Sequence, residues 1–366
     1  MLSYLISFAI SVGLAYLANK NYKNKTKFYI FSLLSIMIVA LLAGLRDYSV
    51  GYDVNNYISV HWTLARSSAS FTSYCKAIGT NEYLFLLILF FFGKVTSDFH
   101  FVLAFLHLII IACIYFGAFK HRKIINPCFL LFLFYFLFFN DSLNIIRQYV
   151  AMSIVFAGFI LLENNKLVKF SLVILIASLF HKVALISFVY VLLRIIFFNK
   201  NCKLRPNFEI KQFFIIVLCT LVVVLGHKIL TFMLNSGLLS SKYALYLTSE
   251  SVSSANLKSI LLAIEIFILF TFFEKSKADL KFYRLNAVIY LIVLQLTRVI
   301  FFGSRIALFF SLMNLFPLCM ASKCCISKYD VKILNASLVI VVIMYWLFLY
   351  ILNNSGNTYP YLFYFQ

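Results

Sequence analysis

The chain has 366 residues, of which 63% are apolar and 12% are charged. Soluble domains contain about 45–50% apolar and about 25% charged residues, so this composition excludes a soluble protein. The net charge of +20 suggests a nucleic-acid partner at first, but the lysines and arginines lie in short clusters between apolar runs, as in the cytoplasmic loops of membrane proteins. We expect a polytopic membrane protein that binds no nucleic acid.

Apolar segments recur from one end of the chain to the other, and each is predicted to be a helix. A segment inside lipid must satisfy its own backbone hydrogen bonds, and runs of this length do so as helices. The predicted segments cover about 2–18, 28–45, 83–95, 99–119, 127–139, 147–162, 167–180, 183–198, 212–234, 259–273, 283–302, 305–321 and 333–352. They predict an all-α bundle of about 12–14 membrane helices that forms a single domain over residues 1–366.

The basic clusters predict the orientation of this bundle. They lie at 19–27, 120–123, 163–169, 200–211, 274–284 and 322–332. Because lysine and arginine favour cytoplasmic loops, we expect these turns inside and the loops at about 46–82 and 235–258 outside. Two crossings between the 46–82 loop and the next basic cluster would put that cluster outside, so either 83–95 or 127–139 is predicted to be re-entrant or half-spanning.

The predicted outer turns contain several arginines, on the side of the membrane that basic residues avoid. These are Arg46, Arg66, Arg147, Arg298 and Arg305. Arginine presents a planar fork of donors that matches carboxylates and phosphates, whereas lysine alone would be enough to set topology. The arginines therefore indicate an anionic ligand at the outer face.

The stretch 138–156 places Arg147 near the start of an apolar helix. Asn144 is predicted to be the N-cap of that helix, which would put Arg147 in the first turn, where backbone N–H groups and the helix dipole also favour an anion. The alternative is an arginine that reaches the membrane interface or pairs with Asp141.

His181 interrupts the apolar stretch 177–187. An ionisable residue within a membrane segment is costly and indicates function, and histidine is the usual general base near neutral pH. The alternative is a helix-end histidine that bonds a backbone carbonyl.

Two further groups of residues are candidates for the same site. Arg298 and Arg305 are separated by Gly303; positions seven apart share one helix face, so the pair suits a diphosphate, with an ordinary interfacial pair as the alternative. Near the end of the second helix, Asp53 follows Arg46. We interpret Asp53 as a base, an acceptor for sugar hydroxyls or a salt-bridge partner of Arg46.

The eight cysteines do not form the pattern of a metal site. Most lie in apolar runs, where cysteine behaves as a small hydrophobic residue. Cys324 and Cys325 lack a second pair of ligands at zinc spacing. We therefore predict neither a metal ion nor a cofactor.

Five short motifs occur in an order that resembles a known family. They are Gly44-Leu45-Arg46 with Val50, Gly51, Asp53 and Tyr57; Asn144 to Tyr149; Ser178 to Ile186; Phe302 to Phe310; and the ending at 360–365. Each motif alone is weak, but the set spans nearly the whole chain. On these residues the chain resembles the EpsG-like branch of the Wzy-type bacterial polysaccharide polymerases.

The resemblance implies a metal-independent membrane glycosyltransferase of the GT-C type. It would act at the outer, periplasmic face of the bacterial cytoplasmic membrane. Its donor and acceptor would be oligosaccharides carried in the lipid by undecaprenyl diphosphate. The product would be an O-antigen of lipopolysaccharide, a capsule or an exopolysaccharide. The resemblance also allows a chain-length regulator protein as a partner.

The expected roles of the site residues follow from this reaction. The residues carried over from the family motifs are Arg46, Asp53, Arg147, His181 and Arg305. The diphosphate-binding set is Arg147, Arg305, Arg46 and Arg298. The sugar-binding set is Asn144, Tyr57 and Gln148. His181 or Asp53 is expected to activate the acceptor hydroxyl.

Two other functions fit part of the same pattern. A flippase for lipid-linked sugars would also be basic and polytopic, although flippases usually carry internal repeats and none is visible here. A membrane sugar acyltransferase would also place a histidine in the membrane.

Overall fold

The structure is a computed structural model that describes residues 1–198, 278–295, 303–320 and 328–365, with a few single positions between 217 and 236. The chain divides into two compact units. The first unit is formed by Met1–Val191 with Ile333–Gln366, and the second is Leu192–Lys332. That residues 1–366 act as a single domain stays a prediction.

The described residues form helices and turns. The α-helices are α1 (Leu2–Lys20), α2 (Lys25–Gly44), α3 (Ser59–Ser67), α4 (Phe71–Ile78), α5 (Tyr83–Val95), α6 (His100–Lys120), α7 (Pro127–Leu137), α8 (Phe139–Ser142), α9 (Ile146–Glu163), α10 (Leu167–Ser178), α11 (Phe188–Phe198), α12 (Ala278–Leu294), α13 (Gly303–Met313), α14 (Leu315–Met320) and α15 (Lys328–Trp346). Short π-helices cover Val54–Ile58 and Leu347–Leu352, and a 3₁₀-helix covers Lys182–Ser187.

Six helical stretches of the described chain are long and apolar enough to cross a membrane. They are Leu2–Lys20, Lys25–Gly44, His100–Lys120, Ile146–Glu163, Gly303–Met320 and Val331–Leu352. The predicted class, an all-α polytopic membrane protein, is confirmed. The number of 12–14 helices and the GT-C-like arrangement stay predictions.

Local sequence signals explain where several helices begin and end. Helix α2 begins at Lys25 because the side chain of Asn24 accepts a hydrogen bond from Lys27 N, as an N-cap does. Asn126 caps α7 in the same way, and Pro127 occupies the first turn, where its missing N–H costs nothing. Helix α5 has the predicted bounds 83–95.

The predicted loop at 46–82 contains two short helices that the hydropathy pattern did not indicate. Ser70 and Ser73 form a reciprocal capping box at the start of α4, and Gly79 ends this helix with a left-handed φ of 69°. Helices α3 and α4 are shorter than a membrane span needs. They pack against α5, through contacts such as that between the rings of Phe71 and Phe90.

In the first unit, α2 runs antiparallel to α6, whereas α6 and α9 run parallel to each other. A Cβ at Gly44, the last residue of α2, would lie 2.4 Å from Cβ of Ala104 near the start of α6. A Cβ at Gly117, near the end of α6, would lie 2.6 Å from the Phe156 ring of α9. The end of α2 therefore lies with the starts of α6 and α9; we call this the Arg46 end.

The opposite end of the same unit collects the first basic clusters. The guanidinium of Arg122 lies 3.3 Å from the ring centre of Tyr22, which joins the end of α6 to the α1–α2 turn. His121 Nε2 lies 2.9 Å from Glu163 Oε2, which joins α6 to the end of α9. We call this the basic end.

Both termini of α5 lie near the Arg46 end. At its start, Leu84 N donates to Leu179 O across 3.1 Å. At its end, Lys94 Nζ donates to the backbone oxygens of Arg66 and Ser68, and only residues 96–99 separate it from α6. Helices α7 and α8, by contrast, connect the basic end to the Arg46 end. That 83–95 or 127–139 is re-entrant or half-spanning stays a prediction.

Candidate functional site

A single carboxylate joins two of the predicted site residues at the Arg46 end. Glu82 directly precedes α5 and is 5% exposed. Its Oε1 lies 2.7 Å from Nδ1 of His181, and its Oε2 accepts a hydrogen bond from Nη1 of Arg147. These two contacts join a buried carboxylate, a guanidinium and an imidazole, which together form the Arg147–Glu82–His181 group.

Three different elements position this group. Arg147 is the second residue of α9, so the prediction that it lies in the first helical turn is confirmed. His181 has an extended backbone (φ −157°, ψ 119°) between α10 and the 3₁₀-helix. The bond from Leu84 N to Leu179 O fixes the start of α5 against the end of α10, which holds Glu82 opposite His181.

Two aromatic rings lie against the guanidinium of Arg147. Its central carbon is 3.9 Å from the ring centre of Tyr57 and 5.5 Å from that of Phe85. Tyr57 in turn packs on His61, with the ring centres 3.9 Å apart. A cation over an aromatic face is stabilised by the ring quadrupole, so the rings help to hold Arg147 in place.

The electrostatics of the group determine its protonation. Burial alone would raise the pKa of Glu82, but the hydrogen bond from His181 and the charge of Arg147 outweigh it and lower the pKa below the usual value. Glu82 is therefore ionised near neutral pH, and an ionised carboxylate accepts hydrogen bonds only. Nδ1 of His181 must consequently carry a proton, and Nε2 is the basic nitrogen of the neutral ring. Burial also raises the pKa of Tyr57, to about 12, so its hydroxyl is neutral.

The alternatives considered for Arg147 and His181 can now be compared with the structure. The carboxylate that contacts Arg147 is Glu82, while Asp141 is hydrogen-bonded to Tyr350. The contact at Nδ1 of His181 is the same carboxylate and not a backbone carbonyl.

Arg46 is completely buried at the same end of the first unit. Its Nη2 donates to Leu143 O across 2.9 Å. Burial lowers the pKa of the guanidinium to about 10, while nearby Tyr361, Tyr4 and Asp53 oppose that effect. The side chain therefore stays charged at neutral pH. Its role as a diphosphate contact stays a prediction.

The C-terminal tail lies against the backbone around Arg46. Asp47 N donates to Leu362 O across 2.9 Å, and Tyr364 N donates to Leu45 O across 3.1 Å. Nearer the start of the tail, Thr358 Oγ1 accepts a hydrogen bond from the side-chain amide of Asn140. These bonds hold the tail, the end of α2 and the α8–α9 region together at the Arg46 end.

Asn144 has a different local role from the one predicted. Helix α9 begins at Ile146 without a side-chain cap, so the prediction that Asn144 is its N-cap is wrong. Its Oδ1 instead accepts from Tyr52 N across 2.7 Å. Gly51, with φ +95°, lies close to Leu143 and Asn144. The side-chain amide of Asn144 therefore stabilises the turn that contains Gly51. Contact of Asn144 with sugar stays a prediction.

The other predicted site residues lie in different parts of the chain. Gln148 is buried on α9 in the first unit. Asp53 is half-buried before the Val54–Ile58 π-helix, and its charge acts on Arg46 and Tyr57. Arg305 is half-buried in the first turn of α13, in the second unit. Arg298 lies outside the described residues, as does nearly all of the predicted 235–258 loop. Their roles stay predictions.

Sequence reasoning missed Glu82. It is the only acidic residue between Asp53 and Asp98, and it directly precedes the apolar run of α5. In a chain with 12 acidic residues, a lone carboxylate at the edge of a membrane segment is a signal comparable to that of His181.

The helical bundle and the buried Arg147–Glu82–His181 group define a multi-pass membrane protein with a preformed polar site at one end. The family model of the EpsG family matches residues 29–363. The chain belongs to the EpsG family, which indicates a polysaccharide polymerase-type membrane protein, glycosyltransferase-like in its general chemistry. No curated protein and no solved structure matches the chain.

Proposed function

We propose that the protein polymerises undecaprenyl-diphosphate-linked oligosaccharide repeat units into a surface polysaccharide. The observation that carries this proposal is the Arg147–Glu82–His181 group, which combines a donor for an anionic leaving group with an oriented imidazole. The product is an O-antigen, a capsule or an exopolysaccharide.

In the proposed reaction a hydroxyl of the acceptor unit attacks the anomeric carbon of the donor chain. The new bond is a glycosidic C–O bond, and the bond from the anomeric carbon to the lipid diphosphate breaks. Nε2 of His181 accepts the hydroxyl proton, as a general base does. Asp53 is the second candidate base, and its proximity to Arg46 favours a supporting role.

Arg147 binds the leaving diphosphate in this proposal. A guanidinium carries five N–H donors, so a contact through Nη1 to Glu82 is compatible with a second anion. Arg305 and Arg298 are proposed as further diphosphate contacts. Arginines would then neutralise the charge that a divalent cation neutralises in other transferases, and the reaction would be metal-independent within a GT-C-type bundle.

The site is proposed to face the periplasm. Arg147 begins α9, and this helix ends at the basic end of the unit. Basic clusters favour the cytoplasmic side, so the opposite end faces outward, where lipid-linked repeat units are joined. Tyr57, Gln148 and Asn144 are proposed to contact sugar there, and a chain-length regulator is a proposed partner.

A deletion strain tests the function. We expect its surface glycolipid to carry a single repeat unit, and the gene supplied on a plasmid to restore the long ladder on a gel. Complete absence of repeat units at the surface would favour a flippase. A ladder of normal length that lacks acyl groups would favour an acyltransferase, and either result would contradict the proposal.

A further inference from the structure

We propose that Glu82 is a positioning residue of this reaction: it holds the proton of His181 on Nδ1 and thereby directs Nε2 to the acceptor hydroxyl. The inference rests on the proposed function and adds a residue that the family motifs do not contain.

The geometry indicates that Glu82 acts through its neighbours. Both of its oxygens are engaged, Oε1 with His181 and Oε2 with Arg147. The residue is 5% exposed, less than either partner side chain. A carboxylate that is buried and engaged in this way is poorly placed to act on a sugar hydroxyl itself, but it can fix the ring orientation and tautomer of a histidine.

The same carboxylate couples the base to the diphosphate contact. Arg147 extends from the first turn of α9, and His181 follows α10. Glu82 connects these two side chains across 65 and 99 residues of sequence. Loss of the carboxylate should therefore disturb the distance between the reacting hydroxyl and the leaving group, and effective reaction depends strongly on that alignment.

The charged and titratable groups around His181 define how the rate should depend on pH. Glu82 and Arg147 are the charged groups in the cluster, Lys182 is the neighbour in the chain, and Tyr57 and His61 surround the Glu82–Arg147 pair. Among the described residues, Glu82 is the carboxylate in hydrogen-bond contact with the His181 ring. Loss of a neighbouring negative charge disfavours the protonated form of an imidazole.

The test is the pH dependence of polymerisation by purified full-length protein with a synthetic lipid-diphosphate repeat unit. For Glu82→Gln we expect kcat to fall about 10–100-fold, with a smaller change in KM. We also expect the acidic limb of the pH–rate profile to move to lower pH by about one unit or more. Unchanged kcat, or an acidic limb that does not move, would overturn the inference.

Glu163→Gln is the matched control. It makes the same substitution in another carboxylate–histidine contact, with His121, at the other end of α9. Arg147 and Glu163 are roughly 24 Å apart along this helix. We expect the control to keep wild-type kcat and pH profile. A matching loss in both variants would indicate general destabilisation and overturn the positioning role.

Two more variants complete the test. Glu82→Asp keeps the charge but shortens the side chain, so we expect an intermediate kcat with the acidic limb in place. This variant carries the test if Glu82→Gln does not fold, and wild-type kcat in it would then overturn the inference. His181→Ala separates the two proposals. If it is fully active, the proposed base is wrong; if it is inactive while Glu82→Gln behaves as wild type, only the role of Glu82 fails.

Discussion

Arg46 is a charged side chain that the fold buries completely. It supports the carbonyl of Leu143, just before α9, and the tail pairs with the backbone on either side of it through Leu45 and Asp47. At the level of single residues, its structural contribution is therefore separable from the diphosphate contact that the family motif implies.

Arg46→Ala is expected to destabilise the protein. The substitution leaves a void and deprives Leu143 O of its donor, and changes of this kind cost about 2–5 kcal/mol. The melting temperature in detergent should fall clearly. Arg122→Ala is the control, because it loses a contact with the Tyr22 ring at the basic end, worth about 0.5–1 kcal/mol, and a long, 3.4 Å hydrogen bond to Phe119 O. Equal melting temperatures for the two variants would contradict the structural role of Arg46.

Individual site residues could be predicted where they break a pattern. Arg147 and His181 interrupt or begin apolar runs, and this signal is local in the sequence. Their shared partner could not be predicted in the same way, because Glu82 is distant from both in sequence. It reaches them through the tertiary contact between the start of α5 and the end of α10. Asn144 was assigned to the wrong local role because a tertiary bond to Tyr52 competes with helix capping.

At the level of elements, close helix packing at Gly44 supports the site. The end of α2 carries Arg46, and its last residue touches the backbone of Ala104 in α6. Helix association in membranes relies on small residues that let backbones approach. The glycine of the Gly44-Leu45-Arg46 motif is thus needed for packing.

Gly44→Ala is expected to lower the melting temperature and the yield of folded protein. Its Cβ would lie 2.4 Å from Cβ of Ala104 and under 3.0 Å from two backbone atoms, so the helices must separate. Gly13→Ala provides the comparison, since nothing lies within 4 Å of a Cβ there and alanine favours a helix by about 0.8–1 kcal/mol. We expect the control to be neutral or stabilising. A neutral Gly44→Ala would show that α2 and α6 pack less closely than described.

The long apolar helices could be predicted because a segment inside lipid must satisfy its own backbone hydrogen bonds, and a long run does so as a helix. The bounds of α5 agree with the prediction, and α1 and α6 differ from it by two residues or fewer at each end. Helices α3 and α4 are missed because they are short and amphipathic, so mean hydropathy does not distinguish them from a loop. Their caps, such as Ser70 and Gly79, were the available signal.

At the level of the whole molecule, charge and site separate to opposite ends of the first unit. The basic clusters at 19–27, 120–123 and 163–169 lie together at the basic end. The contact of Arg122 with the Tyr22 ring and that of His121 with Glu163 connect them. Arg147, Glu82 and His181 meet at the other. The sequence predicts this polarity because positive charge sets topology, whereas the path of the short segment 83–95 depends on tertiary contacts at both of its ends.

The central claim is that Arg147 and His181 carry polymerisation. The most direct test measures polymer formation by purified protein from the lipid-diphosphate repeat unit alone, in the presence of EDTA. Wild type and Arg66→Ala, an exposed arginine of α3, should produce a ladder. Arg147→Ala should be slower by about 10²–10³-fold, the usual effect of losing one charge-stabilising donor, and His181→Ala by about 10²–10⁴-fold. Wild-type rates for Arg147→Ala and His181→Ala would contradict the roles proposed for these two residues in polymerisation.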